Sequence, residues 1–321
     1  MMMILKSDAM RLIANRIGIG LLTLLAVSVV VFAITSLLPG DAAQAMLGQE
    51  STPELLAALR AKFGLDQPGY VRYARWLGGI LRGDPGQALA NGLPVAQLIG
   101  ARLPNSLMLA AATTAVSVPL ALLIGVTSAM FRGSTYDRVM NMATVWVVSV
   151  PEFLIATVAV LIFAVKLHWL AALSRPDDIT TLGQFIRVYA MPVLTLCCVI
   201  VAQMARMTRA AVIDQLTSPY IEMARLKGVR PVRMVLTHAL PNAVGPIANA
   251  VALSLSYLIG GVIIVESIFN YPGIASLMVD SVTVRDMPVV QACAMLFCAG
   301  YLVLLTVADL AAILSNPRLR K

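Results

Sequence analysis

The sequence reads as an all-α membrane protein with six transmembrane helices, and three observations lead there. Of its 321 residues, 59% are hydrophobic and only 12% charged, with a mean hydropathy of +0.85, a composition foreign to soluble domains. Several apolar runs exceed the roughly 20 residues an α-helix needs to cross the hydrocarbon layer. The excess of 24 Lys+Arg over 16 Asp+Glu gathers in short loops, which sets orientation in a membrane chain and gives no ground for nucleic-acid binding. Disorder, collagen and a secreted disulfide scaffold are excluded together. The four cysteines, Cys197, Cys198, Cys293 and Cys298, all lie in apolar stretches and read as small hydrophobes.

Six apolar runs qualify as spans, at about 12–38, 104–131, 139–166, 189–213, 243–268 and 288–313. The first follows Lys6, Arg11 and Arg16 without a small-residue cleavage site, so it reads as an anchored helix and not a removable signal. An even number of spans places both termini on one side. That side collects Lys6, Arg11, Arg16, Arg132, Arg138, Arg206, Arg209, Arg225, Lys227, Arg230, Arg233, Arg318, Arg320 and Lys321, whereas the opposite short loops hold Lys166, Arg175, Arg187 and Arg285. Fourteen cations against four predict cytoplasmic termini.

Three regions follow: a tail and first helix at 1–38, an external cap at 39–103, and a five-helix core at 104–321 with a basic loop at about 214–242. In the cap, Thr52 is a sensible N-cap for a helix with Pro53 at its first position and Gly64 as its stop. Tyr70, Tyr73 and Trp76 suit the headgroup level, where amphipathic rings settle.

The basic loop carries its own helix signals. Ser218 can cap a helix starting at Pro219, and Gly228 can end it in the left-handed conformation. Along this helix Tyr220, Met223, Ala224 and Lys227 recur at helical spacing and share a face, with Glu222, Arg225 and Leu226 projecting elsewhere. The small Ala224 lets a partner approach closely. Leu240-Pro241-Asn242 reads as a breaker before the fifth span.

Glu222-Met223-Ala224, Gly228 and His238-Ala239-Leu240-Pro241-Asn242 together resemble the "EAA" loop of bacterial ABC-importer permeases, departing only in Met223 for the first alanine. The resemblance covers nearly the whole chain. Leu38-Pro39-Gly40-Asp41, Phe63-Gly64-Leu65-Asp66-Gln67-Pro68, Trp76-Leu77-Gly78-Gly79 with Arg82-Gly83-Asp84, Val265-Glu266-Ser267-Ile268-Phe269, Tyr271-Pro272-Gly273 and Asn316-Pro317-Arg318 are similar to the dipeptide/oligopeptide/nickel permease family, in particular its B-type subunits. That resemblance implies a type I ABC-importer fold, a homologous second permease in a heterodimer, two ATPase subunits, an external solute-binding protein and a bacterial inner membrane. It also implies short peptides as cargo, with nickel or other metal chelates, glutathione and opines as alternatives. The 219–228 helix becomes the coupling helix, with Tyr220, Met223 and Ala224 packing on the ATPase, Glu222 and Arg225 at the rim, and Gly228 and Pro241 shaping the loop. No G-x-x-x-x-G-K-[ST] loop is present to cradle a nucleotide, so no cofactor is expected on this chain, and ATP and Mg are expected on the partner ATPases.

Acidic residues inside apolar spans come next, because a central carboxylate costs about 2.5–3.5 kcal/mol on insertion scales and tends to face a cavity or partner. Glu152 follows Pro151, which frees a backbone carbonyl nearby. Two readings stand: contact with a substrate ammonium or cation, or a hydrogen bond to a neighbouring helix with snorkelling. Glu266, inside the family's Val-Glu run, reads as structural or gating. Asp309 suits a cap or pairing with a basic loop. His168 and His238 lack ligand-spaced companions, so no metal site is expected. Gly260-Gly261 and Ala248 with Ala252 suit close helix approach, and a seam with the second permease. A secondary transporter or channel is the rival of another class, but internal repeats are absent and the basic loop would go unexplained. An intramembrane enzyme is the other rival, and neither G-x-S-x-G nor H-E-x-x-H is present. The chain reads as a transport subunit and not an enzyme.

Overall fold

The computed structural model describes residues 2–37, 52–63, 66–176 and 179–315. The motif residues 38–41, Gly64, Leu65 and 316–318 lie outside them, as do the charges at Arg320 and Lys321. The described residues form eleven helical segments: α1 (Met2–Leu37), α2 (Pro53–Phe63), α3 (Gly69–Leu81), α4 (Val95–Met130), α5 (Thr135–Ser149), α6 (Glu152–Lys166), α7 (Leu182–Leu216), α8 (Pro219–Leu226), α9 (Pro231–Ile268), α10 (Ile274–Thr283) and α11 (Met287–Ser315). Among the described residues, the β structure is one isolated bridge, Gln87 to Pro94.

Among the described residues five helices are long and apolar enough to cross a membrane, and the bent pair α5 and α6, counted as one span, brings the number to six. Here the structure corrects the third span. The run read as one helix at 139–166 breaks at Val150-Pro151 into two helices inclined at 98°. Proline lacks an N–H and clashes with the preceding turn, so a helix ends before it and restarts with proline at its cap. A second correction falls on Leu240-Pro241-Asn242, where no break occurs and α9 runs unbroken from Pro231 to Ile268. The stretch Met234–Ala239 is wound as a π-helix. Its wider turn accommodates a residue without a backbone donor.

Several helices outrun the apolar windows. Helix α4 starts at Val95, and α7 runs from Leu182 to Leu216 with a capping box in which Thr181 Oγ1 accepts from Gln184 N–H. A helix of 36 residues spans about 54 Å at 1.5 Å per residue, well beyond a hydrocarbon layer of about 30 Å.

The chain divides into two compact units. The first comprises Met1–Ile17, Met108–Tyr271 and Tyr301–Lys321. Its core includes Ala129, Ala211, Val212, Val235, Ala243 and Ile247, drawn from α4, α7 and α9. Asp309 pairs with Arg16 at 3.0 Å, so its partner is a helical residue and not a loop. The second comprises Gly18–Leu107 and Pro272–Gly300. There α3 lies on α1: Tyr73 and Trp76 stack around Phe32, with ring centroids 5.4 and 5.8 Å away, and the Tyr73 hydroxyl meets Ser28 Oγ at 2.8 Å. Tyr70 is exposed. Asp286 Oδ2 accepts Ala90 N–H at 3.0 Å, and the Asn105 amide donates to Pro272 O at 2.9 Å.

Candidate functional site

Helix α8 is short, exposed on one side and anchored on the other. Ser218 sits at its N-cap in extended backbone and Pro219 at its first position, although the Ser218 side chain makes no capping bond. At the other end Gly228 has φ +77°, with Gly228 N–H donating to Arg225 O at 3.0 Å and Val229 N–H to Ala224 O at 3.2 Å. That pair of bonds is the Schellman ending, which requires the left-handed residue. Tyr220, Glu222, Met223, Arg225 and Lys227 are all exposed, and Ala224 is half-buried. Tyr220 is held by a 3.1 Å bond from its hydroxyl to Gln215 Oε1. Pro241 lies apart from α8 in sequence, just beyond the π turn of α9, and is exposed.

What fixes α8 is a residue the spacing argument passed over. Ile221 is 3% exposed and packs with Met234 and Ala239, flanked by Leu216 and Val229. Glu222 and Leu226 lie off that buried stripe, and Leu226 is 77% exposed. The alternation of a buried Ile221 with Tyr220 and Met223 was present in the sequence, but helical spacing gives no sign of which face is inward.

A second feature missed in the sequence is the polar cluster around Asp137 in the first turn of α5. Arg209 of α7 grips this carboxylate with both arms of its guanidinium, Nε to Oδ1 at 2.7 Å and NH2 to Oδ2 at 2.8 Å. Ser128 Oγ of α4 donates to Oδ1 at 2.8 Å and Gly133 N–H to Oδ2 at 2.9 Å. Asp137 N–H in turn donates to Ser134 Oγ at 3.2 Å, capping α5. The Asp137 side chain is 5% exposed and that of Arg209 24%. A bidentate, charge-assisted pair in such surroundings is among the stronger side-chain contacts, and removing one partner of a buried pair costs about 3–5 kcal/mol. The spacing Ser134-x-x-Asp137 resembles a capping box and is the available signal; Arg209, by its place in the sequence, reads only as an orientation charge.

Beside this cluster α4 and α7 cross closely. A Cβ on Gly125 would fall 2.7 Å from Ala205 O and 2.7 Å from Thr208 Cβ.

The two remaining predicted residues lie elsewhere. Glu152 opens α6 directly after Pro151, half-buried, over the bare backbone of Gly261: a Cβ there would stand 2.9 Å from Glu152 Oε2 and 3.1 Å from Leu196 Cδ2. Gly261 is buried and packs against Glu152 and Leu196 within the chain; Gly260 beside it is exposed with nothing within 4 Å. Among the described residues, Glu152 makes no hydrogen bond or ion pair. Glu266 is fully buried near the end of α9, and its backbone carbonyl accepts Tyr271 N–H at 2.9 Å. Around it Tyr271 and Tyr189 share a 3.0 Å hydroxyl bond, Tyr189 stacks on Phe185, and Ser174 ties Val188 and Phe269 by 2.8 and 2.9 Å bonds. Burial, with the Tyr189 bond behind it, pushes the Tyr271 phenol up. Among the described residues no three His, Cys, Asp or Glu gather as a metal site.

Comparison with known proteins places the whole chain. Residues 117–321 match the family described as "Binding-protein-dependent transport system inner membrane component", and residues 9–110 match its N-terminal companion. The glutathione transport system permease protein GsiC of Salmonella paratyphi A is 35% identical over 298 residues, covering 93% of this chain and 95% of its own. GsiC of Pectobacterium atrosepticum is 36% identical with the same coverage. The probable peptide ABC transporter permease protein y4tP of Sinorhizobium fredii is 33% identical over 294 residues, 92% of this chain and 94% of its own. With five or six apolar crossings among the described residues, a helical fold and matches running nearly end to end, the chain belongs to the binding-protein-dependent transport system inner membrane components: it is a multi-pass permease subunit of an ABC importer, with the type I fold, and not an enzyme.

Proposed function

We infer that this permease lines, together with a homologous second permease, the pathway of an ATP-driven importer for short peptides, glutathione among them. Relatives named for glutathione and for peptide transport support that cargo class, and glutathione is itself a short peptide. Nickel chelates and opines are the alternatives that the family resemblance leaves. ATP and Mg are held by two ATPase subunits, and a solute-binding protein delivers cargo outside. The lysine and arginine distribution puts both termini and α8 in the cytoplasm.

The observation that carries this reading is α8 itself. Tyr220, Met223 and Ala224 form an open, largely apolar face on a helix fixed from behind by Ile221, with the charged Glu222 and Arg225 beside it. Seated in a groove of an ATPase subunit, such a helix moves as the ATPase pair closes and switches the pathway between inward and outward access. The test is Ala224→Trp in the reconstituted importer. A bulky ring on the docking face lowers both binding-protein-stimulated hydrolysis and uptake of a labelled dipeptide or glutathione at least tenfold; full retention of both refutes the docking assignment.

A further inference from the structure

We propose that Asp137 and Arg209 are positioning residues for transport: their pairing makes α5, the first arm of the bent third span, move with α7 when the ATPase-docking helix α8 is pulled. The proposal rests on the reading of α8 as that helix.

Three features of the structure carry it. Helix α7 ends at Leu216, and Leu216 packs in the cluster that anchors Ile221 of α8, so a displacement of α8 is delivered to the end of α7. Arg209 sits on α7 about two turns before that end, where its guanidinium holds the Asp137 carboxylate at 2.7 and 2.8 Å. Asp137 is also bonded to Ser128 of α4 and to the Gly133 amide of the intervening turn. One carboxylate thus joins three helices.

The geometry of those helices gives the link its use. Near the pair, α4 and α7 are in backbone contact at Gly125 and Ala205. Farther along, α4, α5 and α7 line an open apolar cleft of about 490 Å³, with Val116, Leu120, Met140, Val147, Leu194 and Val201 among its walls. Three helices joined at one end and parted beyond it can tilt about the joined end. The second arm of the same bent span begins at Glu152, 98° away from the first, so a tilt of α5 reorients the segment that bears this carboxylate. Nonpolar packing alone would let α5 slide against α7; the planar, two-point pairing fixes its register.

The experiment uses the complete importer with its ATPases and binding protein in proteoliposomes, with a labelled dipeptide and labelled glutathione as probes. Its readout is uptake per ATP hydrolysed, normalised to assembled complex. A role confined to folding lowers the amount of complex and leaves this ratio unchanged. Asp137→Asn and Arg209→Gln are expected to lower the ratio at least tenfold. Arg209→Lys keeps the charge but loses the two-point grip, and is expected to lower the ratio about threefold, between wild type and the variants that remove a charge. Ser128→Ala, which removes one neutral bond and leaves the ion pair intact, lowers it about twofold and carries the test together with Arg209→Lys should the stronger variants not assemble. Wild-type ratios across the variants that do assemble overturn the proposal. Ala224→Trp run in parallel, and read by its separate rates of hydrolysis and uptake, separates the two readings: if it alone is impaired, the link fails and the docking surface stands, and if both its rates are normal, the docking assignment fails first.

Discussion

The close crossing of α4 and α7 gives the sharpest stability prediction, the change Gly125→Ala. The added Cβ would lie 2.7 Å from Ala205 O, 2.7 Å from Thr208 Cβ and 2.9 Å from Thr208 Cγ2. Ordinary contacts between such atoms fall near 3.5–4.0 Å, so relief requires the helices to part by roughly 0.8–1.3 Å. Neither obstacle is the loose end of a side chain: Ala205 O belongs to the backbone of α7, and Thr208 is fully buried and β-branched. Overpacking of this kind costs about 1–3 kcal/mol, and the helix preference of alanine over glycine returns up to about 1 kcal/mol. Net of that return the loss is about 0–2 kcal/mol against wild type, and about 1–3 kcal/mol against an alanine placed without a clash. At roughly 2–4 °C per kcal/mol for a domain of 150–250 residues, Tm falls by about 2–12 °C relative to such a control. The assay is thermal unfolding of the purified complex in detergent, followed by tryptophan fluorescence. Gly260→Ala is the control, since Gly260 has nothing within 4 Å and gains only the helix preference. If Gly125→Ala unfolds at or above the temperature of Gly260→Ala, the helices are not in backbone contact there and the reasoning is wrong.

The other predictions concern α8 and the bend. Ile221→Ala removes the buried anchor of α8, a change that costs about 2–5 kcal/mol in a packed site, and α8 then opens to trypsin at Arg225 and Lys227; cleavage no faster than wild type would deny Ile221 that role. Gly228→Val forces a β-branched residue to φ +77°, a strain of at least about 1–2 kcal/mol, and coupled uptake is expected to drop severalfold with membrane insertion unchanged on blotting. Glu152→Gln keeps the shape of the side chain over Gly261 and removes its charge; uptake of a cationic or amino-terminal cargo falls severalfold, and equal uptake of every cargo tried removes the residue from the pathway.

The spans were legible because apolar runs report the hydrocarbon layer directly, and their ends were not, because the polar turns around Arg102, Gln184 and Asp214 remain helical outside it. Pro151 was visible in the sequence as a freed carbonyl, yet a proline in an apolar run gives no angle, and the 98° turn depends on what packs around it. Pro241 is the reverse case. It looked like a breaker, and the π winding before it absorbed the missing donor. On α8 the caps could be read locally from Ser218, Pro219 and Gly228. The inward face could not, because Met234 and Ala239, which bury Ile221, arrive only after the chain turns back. Asp137 and Arg209 lie 72 residues apart, and no periodicity links them.

Two acidic residues open the two arms of the bent span, and their surroundings separate their uses. Asp137 stands in the first turn of α5 and Glu152 in the first turn of α6, so both face the positive end of a helix dipole, which favours a carboxylate by about 0.3–1 kcal/mol. For Asp137 that contribution is minor beside two guanidinium bonds, a hydroxyl and an amide. Its oxygens are fully engaged, and a carboxylate so held is a fixture of the fold. Glu152 has the dipole and, among the described residues, no hydrogen-bonding partner, while Gly261 keeps the space above it clear. A half-buried charge in that state is costly until something binds it. The residue best placed to change partners during a transport cycle is therefore the one at the bend, and the pair that is expected to move the bend is the one whose oxygens are already engaged.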